Sequence, residues 1–477
     1  MVSTPAIVIA APASGSGKTT VSTGLIGALR AAGHRVAPFK VGPDYIDPGY
    51  HAVAAGVVGR NLDPNLVGPD LIGPLFAAGC AGADIAVVEG VMGLFDGRIS
   101  DGPDDLDSDP AAFGSTAHVA RLIGAPVILV VDAAGHSQSM AAVLHGFIAH
   151  DPSIHIAGVI LNRVGSARHE AVLRQACARV GLAVVGVLRR DPDLQVPSRH
   201  LGLIPAAERR DDAVRAVAAM TETISAVLDL PAIVAAARGR RGTPTDAWSA
   251  DTAVGGRTGP VDGHRPVVAV AGGAAFTFGY AEHRELLTAA GADVVGFDPL
   301  TDPLPPHTAG VVIGGGFPEE HAEALSANVP LRANLAAHAA AARPIIAECA
   351  GLLYLATELD GHPMAGVLDA VGRFTPTLTL GYRDAVAVTD SVAFTAGERV
   401  TGHEFHRSTV VPADGAASPA WAWRDHHGAA GTHGVAVGSV HASYLHVHPA
   451  GSPSAVVRFV EHARAAIPMT TTRERAG

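Results

Sequence analysis

The chain has 477 residues, too many for one hydrophobic core and enough for two or three domains, and 48% of them are hydrophobic. A formal net charge of −11, with no basic run, argues against a nucleic-acid partner, and three widely spaced cysteines (Cys80, Cys177, Cys349) argue against a disulfide framework. No segment approaches the roughly 20 uninterrupted apolar residues of a membrane span, and the N-terminus leads straight into an apolar run, so a cytoplasmic protein without a membrane partner is expected.

Ala6-Ile7-Val8-Ile9-Ala10 reads as a buried strand, and Val21 to Leu29 has helical spacing. Between them lies Pro12-Ala13-Ser14-Gly15-Ser16-Gly17-Lys18-Thr19-Thr20. Strand, glycine-rich turn, Gly-Lys-Thr and helix form the context of a phosphate-binding P-loop. Pro12 stands where the usual pattern has its first glycine. Ser14, Gly15, Ser16, Gly17, Lys18, Thr19 and Thr20 are therefore expected to hold the phosphates of a nucleoside triphosphate. Curled backbone N–H groups converge on an anion there, and the helix adds its positive end. Lys18 would reach the outer phosphates and the Thr19 hydroxyl would hold Mg²⁺. The competing reading is a plain glycine turn with a surface lysine, which the agreement of strand, turn and helix disfavours.

Further apolar strands are expected at 35–42, 84–90, 125–132, 156–162 and 183–188, separated by helical stretches. Such runs indicate a parallel sheet covered on both faces, with its ligand beyond the carboxyl ends of the strands. Those ends carry Asp44, Glu89, Asp96 and Asp132. One acid after a strand reads as a helix cap; four on the P-loop edge point to Mg²⁺ or substrate. Thr19, Asp44 and Glu89 are the candidate Mg²⁺ ligands, and Lys40 is a cation for a phosphate or a carboxylate. Asn162 is a candidate for reading adenine, with a turn role as its rival. The loop from Gly97 to Gly114 is read as a lid, and Arg199-His200 as a weaker member of the same edge.

Residues 236–264 lack an apolar period and read as a flexible linker between a domain at 1–235 and another at 265–466, with a disordered tail at 467–477. In the second domain Val311-Val312-Ile313-Gly314-Gly315-Gly316 is a strand ending in glycines. The N–H groups of Gly315 and Gly316 are oxyanion candidates there. Arg343-Pro344-Ile345-Ile346-Ala347-Glu348-Cys349-Ala350-Gly351 is a strand turning at one cysteine into a helix, a nucleophile elbow. Buried filler is the bland reading of a lone cysteine. The base would come from His441, His446 or His448; strand alternation puts the last two on one face. Gly402-His403-Glu404-Phe405-His406 is a polar cluster read equally as site or as scaffold.

A cysteine elbow, a glycine-rich oxyanion strand and a late histidine resemble the class I glutamine amidotransferase domain, which releases ammonia from glutamine through a thioester. That domain's elbow is Gly-x-Cys-x-Gly, where this chain has Ala347 first. Its His-Pro-Glu is also missing the acid: His446 is followed by Val447-His448, and His448 by Pro449-Ala450. Both departures are shared by amidotransferases of cobalamin biosynthesis. From about Ala6 to Ala465 the chain resembles the cobyrinic acid / hydrogenobyrinic acid a,c-diamide synthase family. The motifs that carry this are Ala13 to Thr20, Phe39-Lys40-Val41-Gly42-Pro43-Asp44-Tyr45-Ile46-Asp47-Pro48, Val88-Glu89-Gly90-Val91-Met92-Gly93-Leu94-Phe95-Asp96-Gly97, and Tyr444-Leu445-His446.

The resemblance implies an α/β chain of two doubly wound domains. One is a P-loop parallel-sheet domain of the dethiobiotin-synthetase type; the other is a flavodoxin-like amidotransferase domain. It implies ATP and Mg²⁺ as cofactors, and L-glutamine and hydrogenobyrinic or cobyrinic acid as partners. It also implies that Asp44, Glu89 and Asp96 serve ATP or corrinoid chemistry, that Tyr45 and Ile46 touch the tetrapyrrole, and that His446 rather than His448 is the base. The expected reaction activates each acetate carboxylate by phosphoryl transfer, and ammonia then displaces the phosphate. Two rivals stand beside it: amidation at other positions, as in cobyric acid synthase or on another tetrapyrrole, and a regulatory P-loop ATPase with an inactive amidotransferase-like binding domain. A homodimer is left open, as are the ammonia route and the presence of cobalt in the ring.

Overall fold

The five residues of β1 (Ala6–Ala10) are all apolar and all buried, as a strand covered on both faces requires. The computed structural model describes residues 4–99, 109, 111–190, 198–199, 202–203, 210–242, 245–256, 265–412, 418–425 and 428–467. The chain divides into two units, Met1–Trp248 and Ser249–Gly477.

In the first unit β1 is joined by β2 (Val36–Val41), β3 (Arg60–Leu62), β4 (Ile85–Glu89), β5 (Val127–Asp132), β6 (Ile156–Val164) and β7 (Val184–Arg189). They form one parallel sheet in the order β3-β2-β4-β1-β5-β6-β7. β1 lies between β4 and β5, so the chain winds away on both sides of it and a crevice opens at its carboxyl end. The helix Lys18–Ala31 starts there and packs on the helix Arg210–Val227. The approach is close: a Cβ on Gly24 would lie 2.4 Å from Ile224 Cγ1. β8 (Ser198–Arg199) and β9 (Gly202–Leu203) pair as a short hairpin. His200 lies outside the described residues, as do 100–108 and 110 of the expected lid; the base of that loop is closed by Arg98 N–H donating to the Phe113 carbonyl at 2.8 Å.

The stretch 236–264 is not uniform. Arg240 donates through Nε to the Ile123 carbonyl at 2.8 Å, and its guanidinium lies 4.8 Å from the Phe76 ring centroid. Trp248 N–H donates to the Pro74 carbonyl at 2.9 Å. This part is packed on the first unit through arginine stems and backbone, contacts that leave no apolar period. Ser249 then caps the short helix Ala250–Ala253 of the second unit, and 257–264 and 468–477 lie outside the described residues.

The second unit begins with β10 (Val267–Ala271), β11 (Asp293–Phe297), β12 (Thr308–Ile313) and β13 (Ile345–Glu348). An inserted sheet follows, made of β14 (Glu358–Leu359), β15 (His362–Pro363), β16 (Ala370–Ala387), β17 (Arg399–Pro412), β18 (Trp421–Arg424) and β19 (Ala430–His433). The chain then returns through β20 (Val435–Val437) and β21 (Val440–Ser443) to complete the first sheet, ordered β11-β10-β12-β13-β21-β20. Its five parallel strands follow the flavodoxin-like order. The inserted sheet is held to β21 by Trp421, fully buried, whose Nε1–H donates to Ser443 Oγ at 3.3 Å.

Candidate active sites

The P-loop joins β1 to the helix Lys18–Ala31. Gly15 and Gly17 have φ of 76° and 95°, which an L side chain rarely adopts. At Gly17 a Cβ would also lie 2.4 Å from Asn162 Nδ2. Asn162 Nδ2 donates to the Ser16 carbonyl at 2.9 Å, and Ser16 Oγ donates to the Ala13 carbonyl at 2.9 Å. The loop is thus pinned from within and from β6, leaving Ser14 and Gly15 exposed and Thr19 and Thr20 half-buried. Lys18 is buried and donates to the Met92 carbonyl at 2.5 Å.

Beneath the loop, Lys40 at the end of β2 and Glu89 at the end of β4 are register partners. The Lys40 ammonium donates to Asp47 Oδ2 at 2.7 Å, Glu89 Oε1 at 2.9 Å and the Gly90 carbonyl at 3.2 Å, which uses its three protons. Thr19 Oγ1 lies 2.7 Å from Glu89 Oε1 and 3.2 Å from Asp47 Oδ2. His51 Nε2 lies 2.7 Å from Glu89 Oε2. Asp47 and His51 are four apart on the helix Asp47–Ala55, hence on one face.

Burial opposes the charge on Lys40, but the Asp47, Glu89 and Asp44 carboxylates outweigh it and hold its pKa above the ordinary lysine value. Burial also works against Glu89, yet Lys40 and His51 bring it below the usual carboxylate range. Asp47 goes the other way: burial, with Asp44 and Glu89 close by, raises it well above the usual value. The pair therefore divides into an ionised Glu89 and an Asp47 biased towards its proton. Burial and the Lys40 charge together lower Lys18. The oxygens of Thr19, Asp47 and Glu89 are hard donors of the kind Mg²⁺ takes. Among the described residues no group of three or more His, Cys, Asp or Glu is disposed to hold a metal, so phosphate and water would supply the rest of the shell.

Asp44, expected beside Thr19 and Glu89, does not take that place. Its Oδ1 accepts from the N–H groups of Ile46 (2.8 Å) and Asp47 (3.0 Å), and its Oδ2 stands 4.0 Å from Lys40. An aspartate opening a turn closes on its own backbone, and Asp47 occupies the inner position. Tyr45 is half-buried and Ile46 buried. Asp96 Oδ2 accepts from Gly93 N–H at 2.8 Å and adds its charge near Lys18. Asp132 pairs with Arg163.

In the second unit β13 ends at Glu348, Cys349 turns with φ 50° and ψ −100°, and the helix Ala350–Leu355 follows. A cysteine in that region is strained. The turn is held by Cys349 N–H donating to the Ser443 carbonyl (2.7 Å) and Gly351 N–H to the Gly314 carbonyl (3.1 Å). This is the geometry of a nucleophile elbow. The buried His446 beyond β21 interacts with both Cys349 and Glu348; its Nδ1 is 3.5 Å from Glu348 Oε2. Burial works against an imidazolium there, but Cys349 and Glu348 outweigh it and raise the pKa to about 10. Gly315 lies against the same ring, where a Cβ would be 2.4 Å from His446 Cε1. At Gly316 a Cβ would meet the Ala275 carbonyl at 2.1 Å.

The other histidines are built into the frame. His448 Nδ1 accepts from Ala450 N–H at 3.2 Å, and its ring lies 4.0 Å from that of Tyr280. His441 is packed against Phe394 and Trp421, and burial brings its pKa down to about 4. His403 exchanges backbone hydrogen bonds of 2.9 Å with His446, and burial with the His446 charge lowers it to about 3.

Residues 7–204 match the family model described as the CobQ/CobB/MinD/ParA nucleotide binding domain, and residues 267–453 the CobB/CobQ-like glutamine amidotransferase domain. The chain is 59% identical to the hydrogenobyrinate a,c-diamide synthase of Mycobacterium tuberculosis, over 96% of this chain and 98% of that one. It is 54% identical to the protein of the same name from Streptomyces coelicolor, with 96% and 98% covered. With the cobyrinate a,c-diamide synthase of Gloeobacter violaceus the identity is 42%, over 95% and 96%. The chain belongs to the a,c-diamide synthase family.

In this a,c-diamide synthase family member the amidotransferase domain also holds a cavity of about 620 Å³, lined by Arg383, Glu404, His406, Ser408, Trp423 and Tyr444 among others. Arg383 Nε donates to Glu404 Oε2 at 2.8 Å, and the His406 ring stacks on Tyr444 at 3.7 Å. Glu404 and His406 flank Phe405, whose carbonyl lies 3.9 Å from Cys349 Sγ. A hollow of about 640 Å³ in the nucleotide-binding domain lies instead at the amino ends of β5 and β6, beside Pro126 and Ile156, far along the strands from the P-loop edge. Sequence reasoning gave no role to Asp47, His51, Arg383 or Glu348. Spacing was the available signal for the first two, since Asp47 and His51 follow Asp44 at one-turn intervals. Among the described residues no helix is long and apolar enough to cross a membrane.

Proposed function

We propose that this chain converts the a- and c-acetate carboxylates of hydrogenobyrinic acid to amides, using glutamine as nitrogen donor and ATP to activate each acid. The observation that carries the reading is the pairing, in one polypeptide, of a Cys349–His446 elbow with a P-loop backed by the Lys40–Asp47–Glu89 cluster. A carboxylate accepts ammonia poorly, because its charge repels a nucleophile and its oxygen is a bad leaving group. ATP with Mg²⁺ supplies the phosphoryl group that cures both faults. Lys18 is the cation for the outer phosphates, and Thr19, Asp47 and Glu89 would hold Mg²⁺. The Asp44–Tyr45 turn and Asp96 are assigned to the corrinoid side.

In the amidotransferase domain the Cys349 thiolate attacks the amide carbon of glutamine, and His446 gives its proton to the departing ammonia. Gly315 and Gly316 N–H groups serve the oxyanion. We assign the amino-acid head group of glutamine to the cavity beside Phe405, where Glu404 and Arg383 offer complementary charges to its ammonium and carboxylate. The metal-free ring is favoured because the relatives at 59% and 54% identity carry the hydrogenobyrinate name. Three free cysteines fit a cytoplasmic setting, where ATP and glutamine are both at hand.

The test is product mass from metal-free and cobalt-containing substrate with ATP and either glutamine or ammonium chloride. Wild type should form the diamide of the metal-free acid with both nitrogen sources, and Cys349→Ala with ammonium alone. Full glutamine use by Cys349→Ala would remove the elbow from the mechanism.

A further inference from the structure

A cysteine–histidine pair works best when a third group fixes the imidazole tautomer, so that one ring nitrogen faces the sulfur and the other keeps its proton. The residues after His446 supply no acid: they are Val447, His448, Pro449 and Ala450. A carboxylate reaches the ring from another direction. We propose that Glu348, the residue immediately before the nucleophile, is the positioning acid of His446, holding Nδ1–H so that Nε2 is turned to Cys349 Sγ. The inference rests on the reading of Cys349 as the glutaminase nucleophile.

The backbone explains how two consecutive side chains address one ring. In a regular strand, neighbours point to opposite faces. At Cys349 the chain leaves β13 with φ 50°, which breaks the alternation and brings the sulfur round towards the imidazole that Glu348 already faces. The separation of 3.5 Å between Glu348 Oε2 and His446 Nδ1 is that of a resting site, where catalytic hydrogen bonds are often long. Two other imidazoles feel the Glu348 charge, His283 from the helix Ala281–Ala289 and His441 from β21, and burial lowers the pKa of both. Around His446 itself stand Cys349, Glu348 and His403 of β17. Of these imidazoles only His446 is raised, so the carboxylate's proton partner is His446.

The experiment uses the full chain carrying Glu348→Gln, with Glu348→Asp as the variant that keeps the charge. Glutaminase kcat and KM are followed from pH 6 to pH 10, together with the rate of iodoacetamide alkylation of Cys349 and with ammonium-dependent diamide formation. In Glu348→Gln kcat should fall roughly 10- to 100-fold, a share of what a positioned acid–base group contributes. KM for glutamine should stay within about twofold, and the alkaline limb of kcat/KM should move to lower pH, because the imidazolium has lost its anion. Glu348→Asp should keep the alkaline limb near its wild-type position. Ammonium-dependent activity should be unchanged in both. An unchanged kcat and alkaline limb in Glu348→Gln overturns the proposal. So does a parallel loss of ammonium-dependent activity in the soluble variants, which would make Glu348 a folding residue. If Glu348→Gln does not fold, loss of the raised alkaline limb in a folded Glu348→Asp overturns it equally. A wild-type chain with no Cys349-dependent glutaminase would instead sink the reading on which the inference rests.

Discussion

Lys40 and Asp47 are joined by a 2.7 Å ion pair at the carboxyl edge of the first sheet, and the same buried ammonium reaches Glu89 at 2.9 Å. One ammonium thus serves two carboxyl groups, the fully buried ionised Glu89 and the nearly buried Asp47. Removing it alone leaves an uncompensated buried charge. Lys40→Met should lose about 3–5 kcal/mol of stability as well as ATP-dependent turnover. Adding Glu89→Gln and Asp47→Asn should restore most of the stability and none of the activity. Urea midpoints of the single and triple variants decide this; a Lys40→Met midpoint equal to wild type would show the pair contributes nothing.

Lys18 should behave oppositely. Its charge is disfavoured by burial and by Lys40, so Lys18→Met should fold at least as well as wild type. It should still lose amidation with glutamine and with ammonium alike, since the phosphates lose their cation. A thermal scan beside the two assays separates this from simple unfolding; survival of either activity contradicts the P-loop role.

Arg383 tests the assignment of the cavity. Arg383→Lys keeps the positive charge next to Glu404 but loses the two-pronged fork that suits a carboxylate. KM for glutamine should rise by about tenfold or more, with ammonium-dependent rates untouched. Steady-state kinetics with both nitrogen sources is sufficient, and an unaltered KM would empty the cavity of glutamine.

The pH dependence of stability in the amidotransferase domain follows from its histidines. His441 and His403 are lowered to about 4 and about 3, against roughly 6.5 when unfolded. Their neutral, buried forms stabilise the fold above about pH 6.5, and that contribution drains away as pH falls towards their folded values. His446, raised to about 10, contributes fully below about pH 6.5, and its share is lost as pH rises towards that value. Stability should therefore peak near neutrality. Tm measured from pH 4 to pH 10 should fall on both sides, and His441→Leu should flatten the acid side only.

How much of this was legible in the sequence depended on how local each feature is. β1, the glycine turn with Lys18, and the elbow at Cys349 are each encoded within a few consecutive residues, and pattern reveals them. Asp47 was hidden by Asp44, because deciding between two acids three residues apart requires knowing which one spends itself on a turn. The inserted sheet was missed because β16 and β17 are largely half-exposed and carry weak alternation. Its anchor, Trp421 on Ser443, is a contact between distant segments. Glu348 was in plain view but read only as part of a strand, since its partner follows β21, a neighbouring strand that the whole inserted sheet separates from it in sequence.

The order of synthesis gives the insertion a further meaning. Sulfur and imidazole are encoded on opposite sides of it, and β21 can dock beside β13 only after β14 to β19 have been made. Until the last strand slots in, the elbow at Cys349 stands apart from His446, so sulfur and imidazole meet only in the completed sheet.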